Sequence, residues 1–245
     1  MTYFNDIKGR KPLKDQLSKL IEKGRINHGY IFEGPKGSGK KLIADAFSEL
    51  LFCLNPNKLN TCNMCEGCIG YKEKYILQSD KAITVEDIRT LVADTQLMPF
   101  QNKRKIYIIH NADTMTDQAQ NAFLKTLEEP PSYAYFILTV TNSEQLIDTI
   151  LSRTVILYTG VNTRQEVVEY LEEKHPDADM NYIYSAACFA EGCIGEADTL
   201  ITDEKFKLCR KTAVDYLNGI KTDLMDKDVI EDITIFLEIL QSIFR

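Results

Sequence analysis

Gly29-Tyr30-Ile31-Phe32-Glu33-Gly34-Pro35-Lys36-Gly37-Ser38-Gly39-Lys40-Lys41 is the stretch whose reading decides the fold. Gly29 to Phe32 reads as a buried strand, and it runs into a glycine loop that opens a helix. Strand, glycine loop and helix in that order make the setting in which a phosphate-binding loop works. Backbone N–H groups turn inward around phosphate oxygens, the helix N-terminus adds positive potential, and a lysine placed like Lys40 reaches the terminal phosphates. Gly34, Gly37, Ser38, Gly39, Lys40 and Lys41 are the expected phosphate-binding residues. The bland alternative is a glycine-rich turn. After Lys40, a Ser or Thr hydroxyl would ligate Mg²⁺, and Lys41 cannot. Its ammonium still attracts phosphate, so ATP or ADP remains a candidate ligand while Mg²⁺ loses a ligand.

Working outward, Ile106-Tyr107-Ile108-Ile109, Tyr135-Phe136-Ile137-Leu138-Thr139-Val140 and Val155-Ile156-Leu157-Tyr158 are further apolar runs of strand length. Between the first two lies a helix that Thr116 can cap, with Ala119, Ala122, Phe123, Thr126 and Leu127 on one face and Pro130-Pro131 as its stop. Strands alternating with helices predict an α/β domain, a parallel sheet with helices on both faces. From Thr163 on, the pattern is helical: Arg164 to Lys174, Met180 to Ala190 and Gly195 to Thr202, broken at His175-Pro176 and Gly192. A last helical stretch runs from about Asp203, its final helix amphipathic through Ile230, Ile233, Leu237 and Leu240. Ser242-Ile243-Phe244-Arg245 carries no cap or breaker, which leads us to expect a further helical domain beyond it.

The net charge of −7 speaks against a chain that grips duplex DNA unaided, since phosphate neutralisation dominates such affinity, and makes proteins the expected main partners. No apolar run is long enough to span a membrane, and Met1 to Asp6 lacks the basic-then-apolar order of a secretory signal. The expected compartment is the cytoplasm. Seven cysteines without a signal sequence argue against a disulfide framework. Cys53, Cys62, Cys65 and Cys68 instead have the spacing C-x8-C-x2-C-x2-C, in a polar stretch with Asn55, Asn57, Asn60 and Asn63. Such thiolates suit tetrahedral Zn²⁺ in a closed, structural site. Cys188, Cys193 and Cys209 read as small core or half-buried residues.

A working P-loop ATPase of this type follows a later strand with Asp-Glu, for Mg²⁺ and for the attacking water. After Ile109 this chain has His110-Asn111-Ala112-Asp113. Neither His110 nor Asn111 fills a carboxylate role; a histidine there reads as a polar tip in a crevice, and Asp113 as a cap of the following turn.

Lys105 to Asp113 and then Asn121-Ala122-Phe123-Leu124-Lys125-Thr126-Leu127-Glu128-Glu129-Pro130-Pro131 resemble bacterial clamp-loader subunits. So do Asn27 to Phe32 and Ile150-Leu151-Ser152-Arg153, and the resemblance runs along essentially the whole chain. The degenerate ATP site is similar to that of the delta-prime subunits of DNA polymerase III rather than of the ATP-hydrolysing gamma/tau subunits. The resemblance implies an AAA+ domain at 1–160 with a zinc module at about 53–68, a helical lid at 161–204 and the start of a helical collar at 205–245. It implies the same four cysteine ligands, and gamma/tau and delta subunits as partners. Contact with the sliding clamp and primer-template DNA would come through the complex. It further implies that Arg153, in Ser152-Arg153-Thr154 where the family has Ser-Arg-Cys, acts as an arginine finger on a neighbour's ATP site. The bland alternative for Arg153 is a surface salt bridge. Asn142 takes the sensor 1 position, where it bonds phosphate or caps a turn, and Gly195 stands where active members carry a sensor 2 arginine. An active gamma/tau-like ATPase and a zinc protein binding nucleic acid alone remain as alternatives.

Overall fold

The computed structural model describes residues 3–24, 26–79 and 81–217. These described residues fall into two compact units, one from 3–35 with 39–160, the other from 36–38 with 161–217.

Apolar runs long enough for a strand but too short for a helix build the first unit's sheet. The strands are β1 (Gly29–Glu33), β2 (Glu73–Leu77), β3 (Lys105–Ile109), β4 (Ala134–Val140) and β5 (Val155–Tyr158). All pairings among them are parallel, in the order β2-β3-β4-β1-β5. Every residue of β3 and β4 is buried, as both faces of a covered parallel sheet require. Alternation then splits the core in two. Tyr30, Phe32, Ile106, Ile108 and Ile137 pack with Leu17 of α1 (Lys11–Glu22) and Phe47 and Leu51 of α2 (Lys40–Phe52). Ile31, Tyr107, Ile109, Phe136 and Leu138 pack with Ile88 and Leu91 of α4 (Val85–Thr95) and Phe123 of α5 (Asp117–Glu128). The short helices α3 (Glu66–Ile69) and α6 (Asp148–Leu151) complete this unit.

As expected, Thr116 caps α5, its hydroxyl accepting from the Ala119 N–H at 3.2 Å. The helix ends because Pro130 pushes the residue before it out of helical space, and Glu129 has φ −126° and ψ 67°. β2 was not anticipated. It is an edge strand whose polar positions hide the apolar pattern, and Lys72 and Lys74 beside and within it pair with Glu49 and Asp45 of α2.

The second unit is helical: α7 (Arg164–Lys174), α8 (Met180–Phe189), α9 (Ile194–Thr202) and α10 (Glu204–Leu217). Val167, Leu171, Ile183, Ala197 and Phe206 form its core. Gly192 has φ +86°, and a Cβ there would meet Asn162 O at 2.3 Å, so the turn between α8 and α9 requires glycine. The amphipathic helix expected through Ile230 to Leu240 lies outside the described residues. No helix among those described is long and apolar enough to cross a membrane.

Phe123 joins α5 to the sheet through an edge-to-face contact with Phe136, centroids 5.2 Å apart. Phe123→Ala should cost about 3–5 kcal/mol, the range for a large aromatic removed from a packed core. Urea unfolding checks this as a lowered midpoint at constant slope.

Candidate functional site

Because the strands are parallel and in register, their carboxyl ends form one edge, the place where open α/β sheets bind ligands. The loop after β1 leaves from this edge. Gly37 and Gly39 take φ +74° and +80°, values that glycine adopts without strain, and Gly39 leads directly into α2. Lys40 is buried, and its ammonium donates to the loop's own carbonyls, Gly34 O at 2.5 Å and Pro35 O at 2.8 Å. A phosphate entering the loop would take over those bonds. Lys41 is exposed in the first turn of α2. In the second unit, which includes Lys36–Ser38, the Gly195 N–H donates to Gly37 O at 3.0 Å.

His110 and Asn111 follow β3 at the same edge. His110 is buried, with Nδ1 3.4 Å from Thr139 Oγ1 on β4, while the Asn111 N–H donates to that hydroxyl at 3.2 Å. Burial pushes the His110 imidazole below its ordinary value and the nearby Lys41 charge adds to this, against a smaller opposite pull from Asp45. The ring is therefore neutral at pH 7, with no negative charge to offer a metal ion or a water. Asp113 corrects one expectation. It does not cap its own turn but reaches across to the end of β4, where Oδ2 accepts from the Thr141 N–H at 2.7 Å and the Asn142 N–H at 3.4 Å. Asn142 Oδ1 accepts from the Glu144 N–H at 2.9 Å, so its amide caps the short helix Ser143–Gln145.

Arg153 sits at the other end of the sheet. A Cβ on Gly29, the first residue of β1, would lie 2.8 Å from Thr154 Cγ2 and 3.4 Å from Arg153 O. The glycine loop begins beyond Glu33, about 13 Å further along β1 at roughly 3.3 Å per residue. Arg153 Nη2 pairs with Glu128 Oε1 at 2.8 Å, and Nη1 donates to Thr149 O at 2.8 Å and Ser152 Oγ at 3.1 Å.

Cys53 ends α2, Cys65 starts α3, and the four sulfurs of Cys53, Cys62, Cys65 and Cys68 lie within 4.8 Å of one another. Cys65 and Cys68 are 3.5 Å apart and Cys62 and Cys68 3.8 Å. Tetrahedral Zn²⁺ with bonds of about 2.3 Å spaces its sulfurs by about 3.8 Å, so the donor set fits. Burial raises Cys65, but the Leu54 N–H and the Cys62 and Cys68 thiols outweigh it and bring the group down to about 6. Burial and then Cys65 push Cys68 up to about 12. The opposite shifts belong to one cluster sharing its protons. Gly67 makes the packing possible, since a Cβ there would meet Phe52 O at 1.8 Å.

A family model described as DNA polymerase III, delta subunit, matches residues 9–160. The chain belongs to this family. A DNA polymerase III gamma/tau subunit of Mycoplasma pneumoniae is 36% identical over 157 residues, covering 62% of this chain and 23% of that protein. A DNA polymerase III gamma subunit of Buchnera aphidicola is 29% identical over 248 residues, covering 92% and 67%. Against these two curated relatives the chain thus spans between 23% and 67% of their length. The RuvB Holliday junction branch migration motor of Thermotoga maritima superposes with a TM-score of 0.58 over 98% of this chain and 72% of that one, at 17% identity, a likeness of fold alone. The chain is thus a member of the DNA polymerase III delta-subunit family with a fold like that of RuvB.

The sequence motifs pointed to the loop, the end of β3, Asn142, Arg153 and the cysteines. They missed Thr139, which ties His110 and Asn111 to β4, and Glu128, which holds Arg153. Both lie in stretches already read from the sequence, but the spacing of neither announces these long-range contacts.

His110 gives a pH signature. Its folded value lies below its unfolded one, so on acidification the unfolded chain takes up the proton first. The stability tied to a neutral His110 is complete above the ordinary imidazole value of about 6.5 and is lost as pH falls through it toward the lower folded value. His110→Gln should flatten that part of the stability–pH curve, measured by urea unfolding from pH 8 to pH 5.

Proposed function

We propose that this chain is the non-hydrolysing, delta-prime-like member of a DNA polymerase III clamp loader. In this role it supports ATP-driven loading of the sliding clamp onto primed DNA and donates Arg153 to the ATP site of a neighbouring gamma/tau subunit. The observation that carries the reading is the edge after β3. A neutral, buried His110 bonded to Thr139 and an amide at Asn111 stand where Mg²⁺ and the attacking water need carboxylates. Lys41 supplies no hydroxyl for the metal. The placement of Arg153 at the amino end of β1, away from its own loop, supports service to another chain's site rather than its own.

Residues 161–204 would be the lid and those from 205 on the start of the collar through which the gamma/tau and delta subunits assemble. Contact with the clamp and the primer-template would come through that complex. Gly34, Gly37, Ser38, Gly39, Lys40 and Lys41 retain a cradle for ATP or ADP. Zn²⁺ on Cys53, Cys62, Cys65 and Cys68 would tie the end of α2 to α3 as a structural centre. The gamma and gamma/tau names of the relatives favour a second reading, an active ATPase. Lys41, His110, Asn111 and Gly195 together weigh against it.

On the proposed reading the purified chain has no ATPase activity. Arg153→Ala leaves the chain folded, yet in a reconstituted loader it slows clamp-dependent ATP turnover at the site it serves by a factor on the order of 10³–10⁵. Unaltered turnover would sink the reading, and robust hydrolysis by the isolated chain would favour the second one.

Gly67→Ala tests the metal centre. Displacing α3 should weaken Co²⁺ binding, followed by its thiolate charge-transfer absorbance, by about 10- to 100-fold, the scale for losing a support of the ligands. An affinity equal to the native chain's would contradict a centre built from both α2 and α3.

A further inference from the structure

The contacts of Arg153 point beyond its assignment. Its guanidinium is held by Glu128 at 2.8 Å, Thr149 O at 2.8 Å and Ser152 Oγ at 3.1 Å, all on its own chain. Its side chain is 33% exposed and that of Glu128 47%. Glu128 is the last residue of α5, and Glu129 follows it as the C-cap. A helix C-terminus carries negative potential, so an acid there is disfavoured unless a cation compensates it. Arg153 is that cation for Glu128.

We propose that Glu128 is a positioning residue that parks Arg153 until assembly. In the free subunit its carboxylate keeps the guanidinium folded against the chain. In the loader, the phosphates of the neighbour's nucleotide replace it. This rests on the reading of Arg153 as a finger acting in trans.

The chemistry favours such an exchange. A guanidinium binds carboxylate and phosphate with the same planar fork, and a polyphosphate brings several negative charges against one. The parking pair is partly exposed, and pairs of that kind shift a population by only about twofold to fivefold. It is strong enough to bias the rotamer and weak enough to yield. Glu128 therefore raises the nucleotide concentration the assembly needs without touching the reacting atoms, so its effect falls on half-saturation rather than on maximal rate.

The test uses the full chain reconstituted with its gamma/tau and delta subunits, and ATP as the probe. Glu128→Gln removes the charge and keeps the side chain's size, and Glu129→Gln makes the same charge change one residue away. With Glu128→Gln, the ATP concentration for half-maximal turnover should fall about twofold to fivefold. Maximal turnover should stay the same, and the difference should shrink as ionic strength rises. Glu129→Gln should match the native loader, and Glu128→Gln should have no effect in an Arg153→Ala background. The proposal is overturned by an unchanged or raised half-saturation in Glu128→Gln, by an equal gain from Glu129→Gln, or by a gain that persists without Arg153. Unchanged turnover in Arg153→Ala alone would instead remove the finger reading on which it stands.

Discussion

The pairing of β1 with β4 on one side and β5 on the other governs the rest of the molecule. Ile31 lies opposite Leu138 and Ile156, and Tyr30 opposite Ile137 and Val155. β1 has only five residues, and four of them are buried, so a slip of one position would turn Tyr30 and Phe32 out of one core and Ile31 out of the other. Its two ends are therefore fixed together. The carboxyl end launches the glycine loop beside His110 and Asn142. At the amino end, only a glycine at position 29 leaves room for Arg153-Thr154 to pass. One strand thus separates the glycine loop from the arginine by its own length.

That separation explains why the two features need not serve the same nucleotide. A guanidinium cannot fold along a buried strand to reach the loop at its far end. It can be presented outward from the end where it sits. The free chain satisfies it there with a carboxylate, and the salt bridge that sequence reasoning offered as the bland alternative is present in the fold. A resting partner and a partner in an assembly are compatible when the resting one is exposed and weak.

What the sequence made legible follows from which forces are local. β1, β3, β4 and β5 announce themselves as apolar runs because burial on one or both faces tolerates few polar residues. β2 has a single neighbour in the sheet, and Lys74 inside it is accommodated by Asp45 and Glu49, so its apolar signal is diluted. The cysteine cluster is readable because metal ligands carry their geometry in their spacing. Asp113 was misread for the opposite reason. Its acceptor role is set by the β3–β4 register, which brings the N–H groups of Thr141 and Asn142 to it from 28 and 29 residues away. Glu128 and Arg153 meet in the same non-local way, through the packing of α5 near α6.

On the proposed reading, losing hydrolysis need not unmake the glycine loop. In an active site of this kind, carboxylates at the end of β3 are balanced by Mg²⁺, and a chain that lost only one of these would leave buried charge uncompensated. Here the replacements go together. A lysine occupies the hydroxyl position, and the buried carboxylate position holds an imidazole kept neutral by its burial and by that same lysine. Thr139 then satisfies both His110 and Asn111 from β4. The end of β3 thus carries neutral groups, His110 and Asn111, where the proposed reading needs carboxylates to be absent, while the carboxylate of Asp113 is turned to the backbone N–H groups at the end of β4. On the proposed reading, such a subunit keeps its loop ordered and its sheet rigid while the nucleotide cycle runs in a neighbour. Rigidity in β1 and β5 is what an arginine placed between α6 and β5 needs if it is to meet a neighbour's phosphates in a fixed geometry.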